Sequence, residues 1–580
     1  MSSLSALSTS IDSIKRAIDA IKDFLSISLC IANAHTVDFY TRDLWNELVA
    51  VPADSVLSVI IDSTGQRRAP AGRHRGCYGF SSETGRLEDV EALLDAARAH
   101  SLPALRVSVP LPELLKALPV QSDSALPAKG VTLEPDEFMN SKKSHEVQTM
   151  SGVVAGLAGC CCARQVIDVG SGKGYLCSFL SMQYGLKVFG IDASSTNTHG
   201  AWERNRKLKK YSKAYQRHGR RRALASVPSS GTGDEAQEEE NILSAGSGPE
   251  VILGGSQPEA FGLGPEDPFL GLLSPEAVEP PMSRVPPCEL TNEERERRKR
   301  KNLERKAQSA KDDSLYSPLT SYVTAETELR DIITDLQDAV VVGLHTCGDL
   351  APSTLRMFVA KRELRALCSV SCCYHLLSEE FDHPAGDGPT GGWGFPMSRH
   401  LRDQRWCCGR NARMSACLAL ERVSAGQGLP SESLFFRAIL HVILRDYYDA
   451  FKSEKRVGNV FSKATSFVDY VRRALKKLEL DDSKLSDSLI QSYHEKYLPR
   501  KKEMEAFNML KVSLAPCIEG LILLDRLCYL KEQVMSTPHD TGVMDGARLL
   551  AIKGPLHSSP NSFGLSVTLI VNNEFLVVAC

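Results

Sequence analysis

The sequence predicts an α/β protein: one doubly wound, mainly parallel sheet, helical additions at both ends and a long disordered insertion. Three observations predict it. A short apolar strand, Gln165–Val169, runs through a glycine-rich turn into a helical stretch, Tyr175–Tyr184, and then into a second strand, Leu186–Ile191, ending at Asp192. That order of strand, turn, helix and strand implies parallel pairing. Strand and helix alternate again over Ala339–Leu344, Leu350–Arg362 and Ala366–Val370, so one sheet continues past the interruption. The interruption itself, 219–315, is rich in Gly, Ser, Pro and Glu and poor in aromatics, a composition that buries too little apolar surface to offset the entropy of ordering.

Along the chain, residues 1–130 read as a mainly helical N-terminal region. Ile14, Ile21, Phe24, Leu25, Phe39 and Tyr40 fall at helical spacing, and Val90–Ala99 and Leu111–Leu118 read as further helical stretches. Residues 131–218 hold the first half of the α/β domain, with a polar helix from Asn197 to about Arg217. The second half spans 316–430 and opens on Tyr322–Val323 and a helical Glu326–Gln337. Residues 431–580 are mostly helical to Glu532. Val567–Val571 and Phe575–Val578, flanking Asn572–Asn573, then have the pattern of a terminal β-hairpin.

Composition narrows the function. Lys and Arg total 69 against 71 Asp and Glu, so the whole chain has no attraction for nucleic acid or an anionic membrane, and a basic surface must be local. The N-terminal stretch lacks a basic leader followed by an apolar run, and no segment reads as about 18 consecutive apolar residues; a cytosolic or nuclear protein without a membrane partner is expected. The 17 cysteines are odd in number and several are adjacent, which fits reduced thiols better than a disulfide framework. No CxxC pair recurs at zinc-ribbon spacing, and structural zinc is not expected.

The turn Asp168-Val169-Gly170-Ser171-Gly172-Lys173-Gly174 discriminates among nucleotide loops. A dinucleotide fingerprint needs glycine where Tyr175 stands, and a Walker A loop needs glycine at Ile167 and a hydroxyl residue at Gly174. The D-x-G-x-G-x-G form is the one S-adenosylmethionine enzymes use. Gly170, Gly172 and Gly174 let the backbone turn and approach a ligand, and the following helix N-terminus offers N–H groups to a carboxylate. Asp192 stands 18 residues past Gly174, at a strand end where a carboxylate accepts ribose hydroxyls. The expected fold is therefore a Rossmann-like, class I methyltransferase sheet with S-adenosylmethionine as cofactor.

Ligands of such sheets lie beyond the carboxyl ends of the strands. His345-Thr346-Cys347-Gly348-Asp349 follows one strand and Ser371-Cys372-Cys373-Tyr374-His375 another. Methyl transfer is an in-line displacement served by positioning and, for a tightly held proton, by a base; His345, Asp349 and His375 are the candidates. The plainer reading makes these histidines hydrogen-bonded residues that stabilise strand ends. Cys347, Cys372, Cys373 and His375 offer metal donors, yet adjacent cysteines seldom both ligate one tetrahedral ion, and no metal is expected. An Asp/Asn-Pro-Pro-aromatic tetrapeptide, used by many enzymes acting on base amino groups, does not occur at these strand ends.

Arg204, Arg206, Lys207, Lys209, Lys210, Lys213, Arg217 and Arg220 to Arg222, interleaved with Tyr211 and Tyr215, suit a phosphate backbone, although a solvated helix would look the same. Arg297–Lys301 has the form of a nuclear import signal or of a solvating charge run.

Met139–Val147, Val166–Leu176, Gly190–Lys210, Val341–Phe358 and Ser371–Glu380, with Gly394–Ser398, Gly409–Met414 and Leu521–Leu527, closely resemble a eukaryotic family of methyltransferase-like proteins. The resemblance implies S-adenosylmethionine at Asp168–Gly174 and Asp192 but does not name an acceptor. Paralogues carry a label of ribosomal RNA adenine dimethylation, and the His345–Gly348 and Cys372–His375 segments look similar to those of a eukaryotic tRNA 2′-O-methyltransferase, which favours RNA over protein. The last 45 or so residues depart from the family, with Ser536-Thr537-Pro538-His539 where it has a Ser-Pro-Arg segment. The rival to an active enzyme is a non-catalytic Rossmann-like module that binds RNA or a protein partner.

Overall fold

The computed structural model describes residues 9–65, 77–118, 139, 141–208, 315–382, 392–417, 431–448, 457–535, 549–553, 566–571 and 574–579. All of the predicted insertion but its last residue, Leu315, lies outside these residues, as do Lys209–Arg222 and Arg297–Lys301.

Five parallel strands form the centre: β1 Gln165–Val169, β2 Lys187–Asp192, β3 Tyr316–Thr320, β4 Ala339–Leu344 and β5 Leu364–Ser371. Their spatial order is β3-β2-β1-β4-β5, so the winding reverses between β1 and β4 and opens the crevice where ligands of such sheets bind. Antiparallel to β5 lies β7 Ser566–Val571, paired as a hairpin with β8 Glu574–Ala579, and β6 Leu549–Lys553 adds parallel to β8 at the edge. The hairpin falls where the alternation predicted it; β6 was not anticipated.

Both faces of the sheet are covered, which is why its strands are nearly continuous apolar runs. Val166, Val188, Val340, Val342, Ala366 and Cys368 point to one face, against α4 Leu111–Ala117, α5 Ser141–Cys160 and α6 Tyr175–Gln183. Ile167, Val169, Phe189, Ile191, Val341 and Leu367 point to the other. There the core continues into the terminal additions: α1 Ile11–Asn33, α2 Ala53–Gly65, α3 Val90–Ala99, α10 Ser431–Tyr447, α11 Phe467–Leu478, α12 Asp487–Tyr497 and α13 Lys501–Met535. Between the halves lie α7, 195–208, then α8 Leu350–Ala360 and α9 Arg410–Ser415.

The N-terminal helix α1 buries Ile14, Ile18, Ile21 and Leu25, one stripe at helical spacing, and packs along α13. Ser10 caps it by accepting the Ser13 N–H at 3.2 Å. The two additions therefore form one helical layer. By length and composition the helical run ending in α13 could cross a membrane, but 83% of its apolar window is buried inside the fold, the environment of a core helix.

Two local expectations differ. The strand β3 was not read, because its sequence, Tyr-Ser-Pro-Leu-Thr, lacks a sustained apolar run. The predicted helix Glu326–Gln337 shrinks to Leu329–Ile332. Gln165 on β1 explains the break: its Nε2 donates to Asp335 O and its Oε1 accepts Gln337 N–H, both at 2.9 Å, taking up backbone groups that a helix would pair.

Candidate active site

The loop after β1 is fastened to β2. Gly170 and Ser171 donate their N–H groups to Ile191 O at 2.8 and 3.1 Å, and Gly172 N–H donates to Asp192 Oδ2 at 3.0 Å. Asp192 Oδ1 in turn accepts Ser194 N–H at 2.7 Å and Asn197 Nδ2 at 3.2 Å. The residue predicted to meet a ribose thus also organises the loop, and its Oδ2, which accepts one bond, retains lone-pair capacity.

Two glycines show different constraints. At Gly174, φ is +69° and an added Cβ would come within 2.9 Å of Ala201 Cβ, so both backbone and packing require glycine. At Gly172, φ is +53° but an added Cβ would meet nothing nearer than Gly170 O at 4.0 Å. The space beside Gly172 is a cradle that a side chain would fill. Gly174 offers no side-chain cap to α6, leaving the helix N-terminus directed at the cradle without a competing acceptor from its N-cap.

Beneath the loop lies Asp168, fully buried. Its Oδ2 accepts a hydrogen bond from the Cys177 thiol at 3.0 Å, while its Oδ1 is buried without a hydrogen-bond partner among the described residues. Burial is the main force raising its pKa from 3.8 to about 7; the Cys177 bond opposes the rise and Asp192 adds to it. A cationic group brought to Oδ1 would remove that penalty. The residues therefore fit S-adenosylmethionine: an acidic oxygen for its ammonium, helix N–H groups for its carboxylate and Asp192 for its ribose.

Across the reversal point, His345 ends β4 in the left-handed region, φ +66°, an uncommon conformation for a residue with a side chain. Its Nε2 lies 3.1 Å from Glu146 Oε2 on α5, and Lys143 Nζ approaches the same oxygen at 3.2 Å. A carboxylate only accepts, so Nε2 carries the proton and Nδ1 is the basic nitrogen. Nδ1 is buried with no hydrogen-bond partner among the described residues. The charge of Lys143 also bears on Asp168, which ties the two halves of the cleft together electrostatically.

The other two candidate bases are placed differently. Asp349 Oδ1 accepts Ser378 N–H at 2.9 Å and packs against Gly394, so its carboxylate joins two loops. His375 is buried with Nδ1 3.5 Å from Cys417 Sγ. Neither joins the Glu146–His345 pair. The adjacent cysteines also depart from expectation. Cys372 and Cys373 both face Cys347, and hydrogen bonding with Cys372 and Cys373 holds the Cys347 thiol well below its ordinary range.

Several functional neighbours escaped the sequence reading. Glu146 and Lys143 lie within Met139–Val147, and the adjacent His145-Glu146 was the available signal. Cys177 and Tyr316 under the loop carried none. Farther out, Glu379 pairs with Arg413 at 2.9 Å in full burial and also accepts the Cys408 and Gly409 N–H groups. Arg413 donates to Tyr374 O and Leu377 O at 3.1 and 2.6 Å. From α13, Asp525 accepts the Met397 and Ser398 N–H groups at 2.7 and 2.9 Å, and Arg526 donates to Ser371 Oγ at 2.7 Å. These bonds explain the segments Gly394–Ser398, Gly409–Met414 and Leu521–Leu527: they hold the loop after β5. Of the basic stretch, the described part has local partners, with Arg206 and Lys207 exposed and Arg204 half-buried. Arg204 stacks on Tyr175 at 4.4 Å and donates to Lys173 O, and Arg206 pairs with Glu203 at 2.9 Å.

A methyltransferase-domain family model matches residues 142–380. The chain is 48% identical over 559 residues to "Probable methyltransferase-like protein 25" of Mus musculus, covering 89% of this chain and 91% of the relative. It is 46% identical over 567 residues to the Homo sapiens protein of the same name, covering 90% and 92%. No solved structure matches. With its reversed parallel sheet, glycine cradle and near full-length relatives, the chain belongs to the methyltransferase-like protein 25 family and carries a class I methyltransferase domain.

Proposed function

We propose that this chain is a catalytically active, S-adenosylmethionine-dependent methyltransferase whose acceptor is RNA. The observation that carries the cofactor reading is Asp168: a fully buried carboxyl with an unpaired Oδ1 directly below a glycine cradle and an uncapped helix N-terminus. Gly170, Gly172 and Gly174 would give the backbone its close approach to the cofactor, and Asp192 would hold the ribose. When bound, the cofactor would supply an electrophilic methyl group. His345, fixed through Nε2 by Glu146, takes the acceptor's proton at Nδ1. Glu146 is a positioning residue. Asp349 and His375 shape the loops that face the acceptor.

The RNA assignment rests on the basic composition from Arg204 to Arg222 and on the likeness of the two strand-end segments to a tRNA 2′-O-methyltransferase. A cytosolic or nuclear location belongs to the same reading. The decisive experiment is calorimetric titration of the full chain with S-adenosylmethionine and S-adenosylhomocysteine, beside a Gly172→Arg, Asp192→Ala variant. Saturable binding that the variant loses, with label transferred from the cofactor to RNA, supports the proposal. No binding by folded protein refutes the cofactor reading; binding without transfer to any RNA or protein pool leaves the non-catalytic module.

A further inference from the structure

We propose that the thiols of Cys347, Cys372 and Cys373 form a binding site for one thiophilic divalent cation, zinc, between the loops that follow β4 and β5. The three sulfurs form a triangle: Cys347 to Cys373 is 3.0 Å, and Cys347 to Cys372 and Cys372 to Cys373 are each 3.3 Å. They come from two segments about 25 residues apart, so the convergence belongs to the tertiary fold and not to a local turn. The site lies outside the cofactor cradle, and its metal affinity is independent of whether the chain transfers methyl groups.

Adjacent cysteines would ordinarily point to opposite faces of a strand. Here β5 ends at Ser371, ahead of the pair. Cys373 takes φ −108° and ψ 68°, which bends the chain into a short 3-10 turn and leaves both thiols on the Cys347 side. The two loops are held in register by Thr346 N–H on Val370 O at 2.9 Å, by Thr346 Oγ1 against Ser369 Oγ at 3.1 Å, and by Gly348 N–H on Cys373 O at 3.4 Å. The sulfurs are consequently presented by a fixed frame, the preorganisation a ligand set needs.

The chemistry of the donors selects the ion. A thiol is a weak donor and a weak acceptor, so packed S–H groups satisfy one another poorly, whereas thiolates bind soft and borderline cations strongly. Zinc takes thiolate sulfur at about 2.3 Å, which places tetrahedral sulfurs roughly 3.8 Å apart. Binding therefore opens two edges of the triangle by about half an ångström and the Cys347–Cys373 edge by about 0.8 Å, within reach of small side-chain torsions. Cys373 is buried but Cys347 and Cys372 are partly exposed, so the fourth position faces solvent, as in zinc sites with three protein ligands and an exchangeable group. Zinc there would clamp the loop carrying His345 to the loop carrying His375.

The test is metal analysis of the full chain purified under reducing, anaerobic conditions and desalted through a weak chelator. Roughly one zinc per chain is expected, reduced at least about tenfold in Cys347→Ser and in Cys373→Ser and kept in Cys162→Ser, an exposed thiol elsewhere. Cobalt(II) added to the stripped wild-type protein keeps the proposal testable should the variants misfold. A thiolate-to-cobalt charge-transfer band at one equivalent, displaced by zinc, supports the site. Metal-free protein that gives no cobalt band overturns it, and so does zinc retained equally by the serine variants. A disulfide from Cys347 to Cys372 or Cys373 in the anaerobically purified chain also overturns it.

Discussion

Replacing Asp168 with Asn should stabilise the cofactor-free protein at neutral pH while removing its ability to bind cofactor. The carboxyl is fully buried, and burial raises its pKa from 3.8 to about 7. A group raised in the folded state contributes its stability below the unfolded value and loses it as pH rises through the folded value. At 1.36 kcal/mol per unit, the wild type loses about 4 kcal/mol between pH values below 4 and above 7. About 2 kcal/mol of that is already gone at pH 5, so a comparison of pH 5 with pH 8 reads about 2–3 kcal/mol. Asn does not titrate, and its Oδ1 can still accept the Cys177 thiol. Asp525, raised to about 6 by burial, titrates in the same window but is present in both proteins and cancels. The assay is urea denaturation of both apoproteins at each pH. The stability difference, Asn variant minus wild type, should grow by about 2–3 kcal/mol from pH 5 to pH 8, and affinity for S-adenosylmethionine should fall about 10–100-fold through loss of one charge-assisted hydrogen bond. A difference that does not change with pH would show that Asp168 is ionised and compensated in the apoprotein, refuting the desolvation argument.

Wild-type affinity for the cofactor should itself fall as pH drops below about 7, approaching tenfold per unit, because Asp168 must ionise to meet the ammonium; isothermal titration across pH 5–8 measures it, and a flat profile contradicts the pairing. Glu146→Gln should lower methyl transfer to RNA about 100-fold with cofactor affinity nearly unchanged, because it loosens His345 without touching the cradle; equal losses in both would mean a structural role. Gly174→Ala should cost about 1–3 kcal/mol through its positive φ and the approach to Ala201, read by denaturant midpoint. Glu379→Gln should cost about 1.5–3 kcal/mol, read by denaturant midpoint, because Arg413 loses its fully buried charge partner and keeps only Asp382 at 3.7 Å, and Arg413→Met should cost at least as much because it also strips Tyr374 O and Leu377 O of their donor.

The parallel sheet was readable because covering both faces makes each strand an apolar run, and the loop because three positive-φ positions require glycine in a fixed pattern. Gln165–Val169 and Lys187–Asp192 agree with their predicted spans to within a residue. What failed had physical causes outside the local pattern. The strand β3 owes its existence to β2, with Val188 to Asp192 supplying the pairing, and its own residues have weak strand character. The expected helix before β4 kept its buried positions, Leu329, Ile333 and Leu336, at helical spacing. A single side chain from β1 took the backbone bonds, a competition that periodicity does not record.

For the site, residue type found the candidates and geometry separated them. His345, Asp349 and His375 all follow strands that end at the crevice, and each has the chemistry of a base. What distinguishes them is the partner: Asp349 is occupied by Ser378 N–H and His375 faces Cys417, whereas His345 is oriented by a carboxylate from α5 and keeps a buried Nδ1 with no hydrogen-bond partner among the described residues. The partner sits 199 residues away in sequence, across the insertion, so no spacing rule reaches it. The same holds for Asp525 and Arg526, whose helix reaches back from the C-terminal addition to hold the loops after β5. The helical additions are therefore part of the frame that holds the candidate site: α13 buries one face of the sheet and supplies polar side chains that hold the loops after β5, so trimming the chain to the α/β domain would expose that face and release those loops together.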